Sequence, residues 1–125
     1  MKHQHHELQA WQRAMGLVKS VYLATKTFPK EEIHGLASQM RRAAVSVPSN
    51  IAEGAARSSS KEFLQYLFIA RGSLMELETQ LVIACDLGYI TDGCKASISE
   101  DIESVFALVS GLISLLRRRS TKERG

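Results

Sequence analysis

Apolar residues recur every three or four positions along most of the chain, a spacing that places them on one face of an α-helix. The resulting stripes predict four helices, over residues 7–27, 32–56, 60–87 and 92–118. In chain order the stripes are Leu8, Trp11, Met15, Val18 and Tyr22; Ile33, Leu36, Met40, Ala43, Val47 and Ile51; Phe63, Leu67, Ala70, Leu74, Leu77, Leu81 and Ala84; and Ile98, Ile102, Val105, Val109, Leu112 and Leu116.

Pro48 is the one irregularity within these stripes. Proline lacks a backbone N–H and so removes one hydrogen bond of a helix. The second helix therefore either kinks at Pro48, or stops there and restarts with Ser49 or Asn50 as its cap. The apolar spacing keeps its phase from Val47 to Ile51, which favours the kink.

The steps of three and four alternate along each stripe, as they do in left-handed helix packing. Helix ends are marked by Phe28-Pro29, by the run Ser58–Ser60 and by Gly88. Four helices joined by short turns predict an all-α fold. We expect an antiparallel up-down-up-down four-helix bundle, with residues 1–125 as a single domain.

The composition restricts the class of protein. With 125 residues, 45% of them hydrophobic, the chain is long enough for one buried core. Cys85 and Cys94 are too few for a disulfide framework, so we expect buried thiols and a cytoplasmic protein. Residues 3–9 do not resemble a signal peptide, and no uncharged apolar run approaches the roughly 20 residues that span a bilayer, so no membrane association is expected.

No metal or other cofactor is predicted. His3, His5 and His6 form only a loose N-terminal group. Glu31 and His34 supply one Glu-x-x-His step, whereas a di-iron bundle site needs two such steps and two further glutamates.

The net charge of +3 is unevenly distributed. Residues 117–125, expected to be a basic tail, carry five bases and one acid, a charge of +4, and the rest of the chain sums to −1. In the predicted topology this segment shares one end of the bundle with the 57–61 turn, and such a patch attracts phosphates. The alternative is that these cations favour a helix C-terminus and solubility. The candidate nucleic-acid-binding residues are Arg57, Lys61, Arg117, Arg118, Arg119, Lys122 and Arg124, with Lys2 at the same end.

Polar residues at helical spacing run along the second and third helices. Three interpretations stay open: a solvated face, a partly buried network that fixes helix register or a subunit contact, and a ligand site. No nucleophile–base pair or glycine-rich phosphate loop accompanies Glu53 and Glu76, so no enzyme is predicted. The candidate network residues are Arg42, Asn50, Glu53, Arg71, Glu76 and Gln80.

The fourth helix carries no charge on any side from Ser104 to Leu116. A bundle helix that faces water normally shows charged residues on its outer face. We therefore expect another subunit to cover that face, the alternative being an exposed helix with few charges. The candidate interface residues are Ala107, Leu108, Gly111, Ser114 and Leu115.

Residues 41–54 read Arg-Arg-Ala-Ala-Val-Ser-Val-Pro-Ser-Asn-Ile-Ala-Glu-Gly, and Ile69–Ser73 and Glu76–Leu81 follow as Ile-Ala-Arg-Gly-Ser and Glu-Leu-Glu-Thr-Gln-Leu. Together these segments resemble the 23S rRNA-intervening-sequence protein family of bacteria, over residues 7–116. The resemblance implies a four-helix bundle that assembles as a homopentamer. A distantly similar group, the accessory proteins of diversity-generating retroelements, uses its pentamer to bind a reverse transcriptase and nucleic acid.

The sequence thus leads to a non-enzymatic, ring-like homo-oligomer that associates with RNA or ribosomes through a basic rim. No aromatic residues interleave the arginines of the basic segment, so stacking on single-stranded bases is not expected. The alternative is an adaptor for a larger enzyme, such as a reverse transcriptase, without direct contact to nucleic acid. A third class, a small-molecule enzyme, would need a polar pocket around Arg42, Asn50, Glu53, Arg71 and Glu76.

Overall fold

Four α-helices account for nearly all of the protein in the computed structural model, which describes residues 4–124 except the side chains of Gln4, Glu123 and Arg124. The helices are α1 (Gln4–Thr25), α2 (Leu36–Ala55), α3 (Ser60–Asp86) and α4 (Asp92–Arg124). A 3₁₀ turn, Lys30–Glu32, precedes α2, and no strand occurs within the described range. The all-α fold is confirmed.

Helix α1 begins three residues earlier and ends two residues earlier than predicted, and the largest differences are the start of α2 and the end of α4. Helix α2 begins at Leu36 because the residues after Pro29 form the 3₁₀ turn. Helix α4 continues to Arg124 and not to residue 118, since arginine, lysine and glutamate favour helix and no glycine or proline interrupts them. The basic segment is therefore a helix and not an irregular tail.

The predicted helix-end residues act as expected. The Ser59 hydroxyl accepts the backbone N–H of Glu62 at 3.2 Å and donates to the carboxylate of the same residue at 3.1 Å. This reciprocal pair caps α3. Gly88 follows α3 with a φ of +77°, which glycine adopts without strain. Helix α2 runs without interruption through the buried Pro48, so the alternative of a stop and restart is wrong.

One hydrophobic core lies between the helices, with α1 against α2, α2 against α3, α3 against α4 and α4 against α1. The stripes predicted for α3 and α4 are all buried, as is the stripe of α2 from Leu36 to Ile51. Ile33, expected in the α2 stripe, is exposed because it precedes the helix.

The predicted core stripe of α1 is wrong. Leu8, Trp11, Met15 and Tyr22 are between 36% and 52% exposed, and the smaller residues Ala10, Ala14, Leu17 and Val21 are buried in their place. Both stripes have helical spacing, so periodicity cannot choose between them. Because leucines and isoleucines of α3 and α4 already fill the interior, α1 approaches it through small side chains. A row of large apolar side chains is left on the surface.

Within residues 4–124, no helix is both long enough and apolar enough to cross a membrane. The two cysteines are half-buried rather than buried, and they are not bonded to each other.

Candidate nucleic-acid interface

The first turn of α1, the α2–α3 turn and the last part of α4 meet at one end of the molecule, here called the basic pole. They line a small cavity of about 50 Å³ formed by Glu7, Arg57, Ser58, Ser59, Ser60, Phe63, Leu116 and Arg119. The structure thus brings Arg57 and the end of α4 together, although they lie far apart in the sequence. Lys2 and the side chain of Arg124, which we also expected here, fall outside the described part of the chain.

Most cations of the basic pole have no carboxylate partner among the side chains that the structure describes. Arg57 forms an ion pair with Glu53, and this is the only salt bridge among the residues that the structure describes. Lys61, Arg118 and Lys122 are exposed and unpaired. Their charges are available to phosphate groups, which bind proteins through such cations.

Glu7 is the buried acid of this pole. Burial raises the pKa of its carboxyl group, and the positive charge of nearby Arg119 acts in the opposite direction. Burial therefore disfavours the charged form of this carboxyl group, so Glu7 offsets only part of the positive charge around it.

Aromatic rings from another helix contact the arginines of this end, although none lies within the basic segment itself. The Arg117 guanidinium lies 5.2 Å from the ring centre of Phe68, and that of Arg57 lies 4.9 Å from the ring centre of Tyr66. Both rings come from the first turns of α3, so they are absent from the basic stretch of sequence. The expected pairing of helices at one end of the bundle was the signal that could have revealed these arginine–ring contacts. Arginine planes and aromatic rings are the groups on which unpaired bases stack.

A second polar feature lies between α2 and α3. The Asn50 side-chain amide donates to the Ser46 carbonyl and hydroxyl oxygens at 2.8 and 2.9 Å. The Ser46 hydroxyl is 2.9 Å from the Ser73 hydroxyl, which links the two helices. The groove beside this link has a volume of about 300 Å³ and is lined by Gln39, Arg42, Ala43, Ser46, Ser73 and Glu76.

The candidate network residues do not form one site. Arg42 and Glu76 line the groove without forming an ion pair, and Asn50 joins them through Ser46. Glu53 pairs with Arg57 at the basic pole instead.

The other two network candidates, Arg71 and Gln80, do not line this groove. Arg71 faces α4, where its guanidinium lies 5.9 Å from the ring centre of Phe106. Gln80 is 6% exposed, and its side-chain oxygen has no hydrogen-bond partner among the described residues. The groove offers hydroxyl groups and two opposite charges, which suit binding and do not assemble a nucleophile with a base.

The candidate interface residues of α4 are only partly uncovered. Ala107, Gly111 and Ser114 are exposed, whereas Leu108 and Leu115 are half-buried. The large exposed apolar side chains in the described range lie on α1, α2, α3 and the turns, with none on α4. Sequence reasoning missed the apolar surface of α1 and α2, which includes Trp11 and Val45.

At the opposite end of the molecule, Glu32 connects the start of α2 with the segment that follows α3. Its carboxylate accepts the Leu36 backbone N–H and the Tyr89 hydroxyl, both at 2.9 Å, and these bonds lower its pKa, the backbone bond most. The Cys85 thiol donates to the Asp92 carboxylate at 3.2 Å, which raises the pKa of the thiol. No group of three or more potential metal ligands occurs among the described residues, and His3 lies outside them.

Comparison with known proteins supplies a family and a fold. The model of the 23S rRNA-intervening sequence protein family matches residues 6–111. The crystal structure of a protein of unknown function from the S23 ribosomal protein family of Bacteroides thetaiotaomicron is similar, with a TM-score of 0.79 and 23% identity over 87% of this chain and 98% of that one. No curated protein matches. Neither description names an enzymatic activity.

Proposed function

The chain belongs to the 23S rRNA-intervening sequence protein family, and from that premise we propose that it is a non-enzymatic cytoplasmic assembly protein that binds RNA through its basic pole. The unpaired cations Lys61, Arg118 and Lys122 are the observation that carries this proposal. A protein that binds phosphates releases the counterions condensed on the nucleic acid, so such cations give affinity without base recognition.

The bundle is proposed to have the antiparallel up-down-up-down order. Contacts between consecutive helices support this, since Ser46 in α2 meets Ser73 in α3 and Glu78 in α3 accepts a hydrogen bond from Ser99 in α4 at 2.9 Å. This order places every second connection at the same end, and therefore explains why the α2–α3 turn and the end of α4 share the basic pole.

The working unit is proposed to be a ring-like homo-oligomer, with five copies by resemblance to the family. The exposed apolar side chains of α1 support assembly, because isolated soluble chains rarely leave such a row uncovered. A ring with all basic poles on one side would multiply the local charge by the number of subunits, which strengthens attraction to RNA.

The experiment compares Arg118→Gln/Lys122→Gln with Lys26→Gln/Lys30→Gln, which removes the same charge from exposed positions near the opposite end. Binding to a single-stranded RNA is measured across a salt series. The slope of log affinity against log salt decreases by about 0.7 for each phosphate that the protein no longer neutralises. We expect this decrease only for the basic-pole variant. Equal affinity and slope in both variants would contradict the proposal.

The second candidate is an adaptor that docks a larger protein without touching nucleic acid. The apolar surface formed by α1 and α2 favours it, because an apolar groove suits a protein better than a polyanion. Purification from the native host separates the two functions. Nucleic acid that remains with the protein at moderate salt supports RNA binding, and one stoichiometric protein partner without nucleic acid supports the adaptor.

A further inference from the structure

A polar groove between α2 and α3 holds two opposite charges that do not neutralise each other. Its volume is about 300 Å³, and Arg42 of α2 and Glu76 of α3 both line it. Neither side chain forms a salt bridge or a hydrogen bond with another described residue. The two charges are therefore available to one molecule that carries the complementary charges itself.

The hydroxyl pair beside these charges adds a hydrogen-bond donor. The Ser46 and Ser73 oxygens lie 2.9 Å apart, so one of their two hydroxyl hydrogens lies between them. The Asn50 amide donates to Ser46, and no acceptor for the second hydroxyl hydrogen occurs among the described residues. Whichever serine donates to the other, one O–H remains free to bind a ligand in the groove that both serines line.

These groups together match the polar end of an α-amino acid. An arginine guanidinium donates two parallel N–H bonds to a carboxylate, and a free hydroxyl adds a third donor. A glutamate carboxylate accepts hydrogen bonds from an ammonium group. At about 300 Å³ the groove lies at the lower limit of small-molecule sites, which favours a compound that carries both charges close together. A polyanion such as RNA is disfavoured here, because the Glu76 carboxylate would repel it.

A second, mostly apolar groove begins on the other side of Arg42 and Ser46. These two residues line both grooves, so the grooves adjoin along α2. The second groove has a volume of about 460 Å³, and Tyr22, Ile33 and Val45 give it an apolar wall. All three of these side chains are exposed. A molecule bound by its charged end at Arg42 can therefore place an apolar side chain against this wall.

The ring of Tyr22 is held in place by its neighbours. The Arg41 guanidinium lies 4.7 Å from the centre of this ring. The Nε atom of Arg41 in turn donates a hydrogen bond of 2.8 Å to the hydroxyl of the buried Thr25. The apolar wall is thus formed before a ligand arrives, which lowers the entropic cost of binding.

We propose that the two grooves together bind a free α-amino acid with an apolar side chain. Arg42 binds its carboxylate, Glu76 binds its ammonium group, and its side chain lies against Tyr22 and Val45. Neither groove includes a residue that lines the cavity of the basic pole, so amino-acid binding and RNA binding are independent properties.

The test titrates L-leucine and L-phenylalanine by NMR on the isotope-labelled chain and continues with the amino acid that binds more tightly. This amino acid is compared with three compounds that each lack one of its groups. Glycine lacks the apolar side chain, the N-acetyl derivative lacks the ammonium charge, and the carboxamide lacks the carboxylate charge. We expect each to bind at least about tenfold more weakly, because a hydrogen bond between charged groups or a buried apolar side chain contributes that much.

Two variants assign the charged contacts. Glu76→Gln should remove the preference for the free amino acid over its N-acetyl derivative and keep the preference over its carboxamide, and Arg42→Gln should do the reverse. Both side chains are exposed and unpaired, so each chain keeps its fold, which circular dichroism verifies. Arg13→Gln and Glu100→Gln are the matched controls, because they remove the same charges from exposed positions outside both grooves. The controls should keep both preferences.

Three results would overturn the proposal. A wild-type chain that binds neither L-leucine nor L-phenylalanine at millimolar concentrations has no such site. Preferences that stay unchanged in both Arg42→Gln and Glu76→Gln would place the bound amino acid elsewhere. Glycine that binds as tightly as the larger amino acid would show that the apolar groove does not hold its side chain. RNA binding is tested separately by the charge variants of the basic pole.

Discussion

Gly54 is the position where one added methyl group should harm the fold most directly. It lies in the buried last turn of α2, against the first turns of α3. A Cβ there would lie 2.7 Å from Cδ1 of Phe63 and 2.8 Å from Cβ of Tyr66. Such separations are well inside van der Waals contact, and the Tyr66 atom is next to the backbone, so it cannot move without α3.

The magnitude follows from two opposing effects. Alanine favours the helical state over glycine by about 1 kcal/mol, which stabilises the chain. Forcing an extra methyl group into a filled interior costs about 1–3 kcal/mol, and here it must separate α2 from α3. The steric effect prevails because the new methyl group would meet the Phe63 ring and the Cβ of Tyr66, which is bonded directly to the main chain of α3. We expect Gly54→Ala to destabilise the protein by up to about 2 kcal/mol in net terms.

Gly72→Ala is the matched comparison, because it makes the same chemical change in the next helix with no atom within 4 Å of the new methyl group. It should stabilise the helix by about 1 kcal/mol. Urea denaturation of both variants is measured at one fixed protein concentration, so that any assembly contributes equally to both. A stability of Gly54→Ala equal to or above that of Gly72→Ala would refute the close approach of α2 and α3.

Two carboxyl groups give opposite pH dependences. Burial raises the pKa of Glu7 above its ordinary 4.5, so its protonated form stabilises the fold and that contribution is lost as pH rises through the raised value. Glu7→Gln should therefore be more stable than wild type at neutral pH and equal to it below about pH 4.5; a difference that does not change with pH would contradict this. Hydrogen bonds lower the pKa of Glu32, so its contribution is present above 4.5 and lost as pH falls through the lowered value. Glu32→Ala should destabilise the protein in thermal unfolding at neutral pH, and progressively less in acid. The control is Glu31→Ala, which removes an exposed neighbouring carboxyl group and should show neither effect.

The sequence predicted α3 and α4 well because their large apolar residues are the ones that the core buries. Leu74 and Leu112 are fully interior, and no competing apolar stripe exists on α4. Helix α1 has two stripes of the same period, and the one with larger residues is exposed. Size and hydropathy alone select Trp11 for the core, while the space left between the other helices selects Ala14. That space depends on all helices at once, so no local pattern contains it.

The candidate site was predictable where it depends on helix order and not where it depends on pairing across helices. The meeting of Arg57 with the end of α4 follows from the expected topology alone. The contact of Arg117 with Phe68 and the hydroxyl pair of Ser46 with Ser73 depend on the rotation of each helix about its axis. Helix rotation is fixed by the detailed fit of the core, which the period of an apolar stripe does not determine.

The direction in which neighbouring copies dock decides whether the basic pole can act as a rim. If adjacent copies pointed opposite ways, the unpaired charges of Lys61, Arg118 and Lys122 would alternate between the two ends of the assembly. Cations separated by the length of a bundle are screened from each other, since the Debye length is about 8 Å at physiological salt. Copies that point the same way place these charges side by side, where one RNA strand can contact several poles at once. In that orientation, the geometry of assembly and the affinity for RNA are two consequences of the same contact between copies.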